Sequence, residues 1–163
     1  MSAPLRIDPS CLPADGLHVE GKLPASVFEL PADEAMRAVS PLEYRLDITR
    51  DENDIIVLGS ISAVFDLQCG RCAERFQFRA EDPHYVLDVP VENEAPIDLT
   101  TWLREDILLA LPTHPRCESG NVTPRECPAE GRFDPGQDAS GDESATGGKA
   151  WEALDQLKNL KRN

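Results

Sequence analysis

No stretch of this 163-residue chain approaches the roughly 20 consecutive apolar residues of a membrane-spanning helix. Its beginning also lacks the basic, then apolar, then small-residue order of a secretion signal, so the expected address is the cytoplasm. Positive charge is short as well: 16 Lys and Arg stand against 30 Asp and Glu, a formal charge of −14. On average such a surface repels nucleic acid and anionic membranes and favours basic partners. No glycine-rich phosphate loop follows a strand pattern, which argues against an NTPase. His18, His84 and His114 share no spacing with a Ser or Asp that would suggest a triad, so a hydrolase has no support. There is no internal repeat of the solenoid kind.

What is present is a β-rich middle. Leu42, Tyr44, Leu46 and Ile48 alternate with Glu43, Arg45, Asp47 and Thr49, a period of two that places the apolar side chains on one strand face. A polar turn at 51–54 leads into a β-branched run over 55–67, predicted to pair back as a hairpin, with a bulge or bend at Gly59. Phe76 and Phe78 begin another strand and 84–89 a further one, ended by Pro90. Upstream, 5–7 and 17–19 read as brief strands, 27–30 as a strand, and 33–39 as one or two helical turns stopped by Ser40-Pro41. Downstream, Leu99, Trp102, Leu103, Ile107, Ala110 and Leu111 recur at helical spacing after Asp98, an N-cap residue, and Pro112 ends the helix. One amphipathic helix packed on an antiparallel sheet makes the predicted class α+β, with a barrel-like curl left open.

Three parts follow from composition: a core over 1–115, a Cys-bearing Pro, Gly and acidic flexible segment over 116–149, and an amphipathic helix over 150–163. Residues 134–148 are expected to be disordered. The terminal helix carries Trp151, Leu154, Leu157 and Leu160 with Lys158, Lys161 and Arg162, a pattern that suits a docking peptide or a helix packed back on its own sheet.

The chemistry gathers at Cys69-Gly70-Arg71-Cys72, which the strand patterns place at a strand end or hairpin tip. Gly70 is expected to supply positive φ for the turn, letting backbone N–H groups favour thiolate over thiol. With Cys117 and Cys127 the pair makes four thiolate ligands, the number a closed tetrahedral zinc site takes, with His114 as a substitute. The competing readings are a set of reduced cysteines stabilising a turn, and a redox dithiol of Cys69 and Cys72. Thioredoxin-type motifs sit where a strand feeds a helix, whereas strands flank these thiols on both sides. Cys11 reads as an ordinary half-buried thiol. In a knuckle the residue between the cysteines projects outward, so Arg71 is the candidate partner contact, or else a bystander of the turn. Phe76, Phe78 and Tyr85 with Arg71, Arg75 and Arg79 form the one basic and aromatic neighbourhood, read first as core with solvated arginines.

The strand pair, the Cys-x-Arg-Cys with an aromatic soon after, "IDLTTWLREDILLALP", the Cys-bearing loop and the terminal "WEALDQLKNLK" together resemble the YceD family. The resemblance runs from about Leu42 to the end, and its most specific carriers are Cys69, Arg71, Cys72, the "LLALP" ending at Pro112, and Trp151, Leu154 and Leu157. Cys117 and Cys127 match only in kind. The family comprises bacterial and plastid proteins associated with accumulation of large-subunit ribosomal RNA. The resemblance therefore implies a non-enzymatic ribosome-biogenesis factor, acting through a large-subunit ribosomal protein, precursor rRNA, or both. The alternative is a cytoplasmic thiol-redox protein using Cys69 and Cys72.

Overall fold

The computed structural model describes residues 4–31, 35–92 and 94–130. Its centre is a long antiparallel hairpin, and everything else covers or extends it. Strand β4 (Leu42–Asp51) alternates as its sequence demands, with Leu42, Leu46 and Ile48 buried, Tyr44 half-buried, and Glu43, Arg45, Asp47 and Thr49 exposed. It turns at residues 52–53 into β5 (Asp54–Gln68), which buries Ile55, Val57, Ile61, Ala63, Phe65 and Leu67. Strand β6 (Arg75–Pro90) then runs back along the whole of β5.

The two strands expected over 76–79 and 84–89 are thus one, and a β-bulge explains how it survives Pro83. Gly59 pairs with Tyr85 but Ile61 with Asp82, so the extra residue sits in β6, opposite Ser60 and next to the glycine. There proline's missing N–H costs no ladder bond, and the His84 N–H donates to the Asp82 carboxylate at 3.0 Å. The bulge also changes which residues face inward: Phe76 and Ala80 before it, Tyr85 and Val89 after it.

The first part of the chain adds β1 (Arg6–Ile7), β2 (Leu17–Leu23) and β3 (Met36–Ala38). Strand β2 pairs with β4, and β3 pairs with β5 over Phe65–Leu67, beyond the point where β4 leaves that edge. The helical turns expected up to Val39 are therefore replaced over 36–38 by strand. Met, Arg and Ala favour helix, but the exposed edge of β5 offers unpaired N–H and C=O groups that an extended segment satisfies. Ser40 bridges the step, its hydroxyl accepting from the Val64 N–H at 2.8 Å. The strand expected over 27–30 is instead a 3₁₀ turn, Ala25–Phe28, which drops Phe28 edge-on against Phe65 with ring centroids 4.9 Å apart.

Strand β7 (Ile97–Asp98) pairs with β1 and delivers the chain to helix α1 (Thr100–Leu109). The N-cap position is taken by Leu99 rather than by Asp98, one residue earlier, whose carboxylate nonetheless accepts from the Thr100 N–H at 2.9 Å. Leu99, Leu103 and Ile107 are fully buried as the helix packs on β5, β6 and the 3₁₀ turn. Trp102, expected in the core, is 42% exposed, because the sheet takes only the Leu103 and Ile107 side of a ten-residue helix. The Tyr85 hydroxyl donates to Asp106 at 2.8 Å, and burial with that carboxylate beside it pushes the phenol pKa up.

The architecture is α+β. The sheet does not close into a barrel, since β2 and β6 remain as outer strands. The compact unit runs to Glu130, so residues 116–130, assigned by composition to a flexible segment, pack with the core. Residues 134–148 and the terminal helix over 150–163 lie outside the described residues. No described helix is long and apolar enough to cross a membrane.

Candidate metal centre

The β5–β6 connection, residues 69–74, is a tight knuckle whose geometry follows from two backbone bonds. The Cys69 N–H donates to the Glu74 carbonyl at 2.8 Å, and the Ala73 N–H returns to the Cys69 carbonyl at 2.9 Å. Ala73, at φ 61°, takes the left-handed position; Gly70 has no positive φ. That corrects the expected role of Gly70. A Cβ added at Gly70 would meet only the Pro115 carbonyl oxygen, at an ordinary 3.6 Å. Gly70→Ala is accordingly expected to change stability by less than about 1 kcal/mol, while a β-branched Ala73→Val costs about 1–2 kcal/mol. Thermal unfolding of the two variants checks this, and the reverse order would restore Gly70 as the turn residue.

The second pair of cysteines arrives from the segment after α1. Cys117 opens a 3₁₀ turn, Cys117–Ser119, closed by the Gly120 N–H on the Cys117 carbonyl at 3.1 Å. Cys127 opens a similar turn, with the Glu130 N–H donating to its carbonyl at 2.9 Å. These turns aim both side chains at the knuckle. Cys69 Sγ lies 3.9 Å from Cys127 Sγ, Cys72 Sγ lies 3.5 Å from Cys117 Sγ, and all four sulfurs fall within 4.8 Å of one another. A tetrahedron with Zn–S bonds of about 2.3 Å has sulfur separations of ~3.8 Å. The four cysteines therefore lie close enough to hold one metal ion.

Electrostatics point the same way. Cys69, Cys117 and Cys127 are buried and Cys72 half-buried. Burial opposes ionisation of Cys69, but the backbone N–H groups of Cys72, Arg71 and Cys117 outweigh it and bring the thiol down to about 6. One such contact is the Arg71 N–H to Cys69 Sγ, at 3.4 Å. The neighbours respond oppositely. Burial and the adjacent sulfurs of Cys72 and Cys69 push Cys117 up. Cys127 is also raised: its backbone bond to Ala129 favours the thiolate, but burial and the same two sulfurs prevail. Four thiolates cannot coexist in so small a volume without a cation, and one multivalent ion removes that conflict.

Polar contacts around the cluster join its two halves. The Gly70 N–H donates to the Pro115 carbonyl at 2.9 Å, Arg71 Nη1 reaches Glu118 at 3.2 Å, and Arg125 pairs with Glu74. Asn121 acts as a clip on the outer edge of β6: its Oδ1 accepts from the Arg79 N–H at 2.7 Å and its Nδ2 donates to the Arg79 carbonyl at 2.9 Å. Glu118, Asn121 and Arg125 carried no sequence signal, since a carboxylate, an amide and an arginine in a Pro-rich acidic stretch are ordinary.

Of the other candidates, Arg71 sits at the hairpin tip, about a third exposed. His114 stays outside the sulfur cluster. Cys11 is exposed rather than half-buried and takes no part. Phe76 and Tyr85 are buried and Phe78 packs against the core, so these aromatics belong to the interior. No family model, curated protein or solved structure matches the chain.

Proposed function

We propose that the protein is a non-enzymatic assembly factor for the large ribosomal subunit, in which Cys69, Cys72, Cys117 and Cys127 hold one zinc ion and Arg71 meets the partner. The observation that carries this reading is the donor set: four thiols, three of them buried, with separations suited to a closed tetrahedron. A closed Cys₄ site leaves no open position for substrate, so its ion shapes a surface rather than performing a reaction. Resemblance to the YceD family supplies the biological setting. The charge of −14 favours a basic ribosomal protein as the main partner, with precursor rRNA touched only locally.

Two measurements test the reading. Reduced protein isolated without chelator is expected to contain one zinc per chain; metal-free protein would return the thiol-redox alternative for Cys69 and Cys72. Association with large-subunit precursors is expected by co-sedimentation. Its persistence after ribonuclease separates a protein partner from an RNA one. Arg71→Ala should weaken the association about tenfold, ~1.4 kcal/mol, without loss of metal. The Glu118 pair that Arg71 would surrender is about a third exposed on each side and worth little. An Arg71→Ala protein that sediments like the parent would reduce Arg71 to a turn residue, and a parent protein that never sediments with precursors would reject the reading.

A further inference from the structure

Beside the thiol cluster lies a cleft of about 270 Å3, walled by Gly70, Arg71, His114, Pro115 and Arg116. Its two walls come from opposite halves of the centre and are held together by the Gly70 N–H to Pro115 carbonyl bond of 2.9 Å. Gly70 has no conformational need to be glycine, but the missing side chain leaves this space open. In a chain with nearly twice as many acids as bases, three of the five residues lining the cleft are two arginines and a histidine. The carboxylate at its rim is Glu118, on Arg71 at 3.2 Å. Arg116 is exposed, and among the described residues no carboxylate lies within ion-pair distance of it.

We infer that this cleft binds a phosphate group of an RNA strand, with Arg71 and Arg116 donating to its oxygens and His114 alongside. The inference rests on the proposed function only for the source of the phosphate. Guanidinium forks match phosphate oxygens bidentately, and exposed N–H groups on a fixed backbone position such a fork. A divalent ion among four thiolates leaves surplus negative charge nearby, so binding relies on directed hydrogen bonds rather than on the overall field. A lone phosphate should therefore bind only at about millimolar concentration, and a strand that adds further contacts more tightly.

His114 provides the readout, because the chain has only two other histidines, His18 and His84, and neither lines the cleft. The imidazole resonances of the metal-loaded protein would be followed by NMR at constant pH. Inorganic phosphate, a short single-stranded RNA, or matched sodium chloride would be added in parallel. The expected result is a saturable shift of the His114 resonance alone, at lower concentration with RNA than with phosphate. Arg116→Ala should weaken the RNA response at least about fivefold with metal content unchanged, and Gly70→Leu, which fills the space, should do the same. A shift with phosphate but not RNA would assign the cleft to a free anion and overturn the RNA contact. No His114 shift with either probe, or an unaltered response in Arg116→Ala, would overturn the site. Precursor association measured by sedimentation would stand or fall separately.

Discussion

Chelation of the metal-loaded protein is expected to release residues 112–130 from the sheet while β4, β5, β6 and α1 stay folded. The segment has little else to hold it. Ordering each residue's backbone costs about 1–2 kcal/mol, and this stretch is Pro, polar and charged, with its single valine, Val122, 37% exposed. The exposed ion pair of Arg71 with Glu118 contributes about 0–1 kcal/mol, that of Arg125 with Glu74 is screened by solvent, and the two Asn121 bonds contribute about 1 kcal/mol each. Structural zinc in small domains contributes about 10–16 kcal/mol, enough to decide the state of the segment. The sheet and helix rest chiefly on their own apolar faces: Leu46, Val57, Phe65, Leu103 and Ile107 are fully buried, in a core that Cys69, Cys117 and Cys127 also join.

Hydrogen exchange is the direct check: the Gly120 and Glu130 amides, bonded within the cysteine turns, should lose protection, while amides paired between β5 and β6 keep theirs. Cys69→Ser should reproduce the pattern. Acid should as well, since protons compete with the ion for thiolate, and the metal is lost as pH falls rather than as it rises. Unchanged protection after complete metal removal would show that the segment is held by packing and polar contacts alone.

Gly59→Ala should be the most damaging alanine substitution at a glycine of the sheet. A Cβ there would sit 2.0 Å from the Arg45 carbonyl oxygen and 2.9 Å from Leu46 Cα, both main-chain atoms of the paired strand. No rotamer change relieves a clash with backbone, so β4 must shift away from β5 at the centre of the hairpin, beside the bulge. The expected loss is about 3 kcal/mol or more, close to 10 °C in melting temperature for a unit of this size. Circular dichroism against temperature measures it. A parent-like melting curve would show that β4 can move without cost and would remove close approach as the reason for glycine. Gly59 and Gly70 are thus glycines for different reasons: the first makes room for a neighbouring strand, the second borders a cleft.

By itself the amino-acid sequence determined the main sheet and its helix. The period-two alternation of Leu42 to Ile48, the β-branched run that follows and the helical spacing of Leu99, Leu103 and Ile107 each describe an element with one face to bury, and such patterns persist whatever surrounds them. It also singled out Cys69, Cys72, Cys117 and Cys127, because thiol count and type are chemical facts independent of fold. Where propensity met a competing demand, tertiary structure decided. Residues 36–38 became strand because β5 had an open edge, and 25–28 became a turn because Phe28 fills the end of the core. Trp102 faces outward because the sheet covers one side of the helix. The left-handed knuckle residue proved to be Ala73 because the Cys69 to Glu74 bonds set the turn's path, whichever residue is glycine. The meeting of Cys117 and Cys127 with the first pair, and the cleft that Arg116 shares with Arg71, join positions more than forty residues apart in the chain. No local pattern encodes such a distance; it is set by where the helix, packed on the sheet, returns the chain.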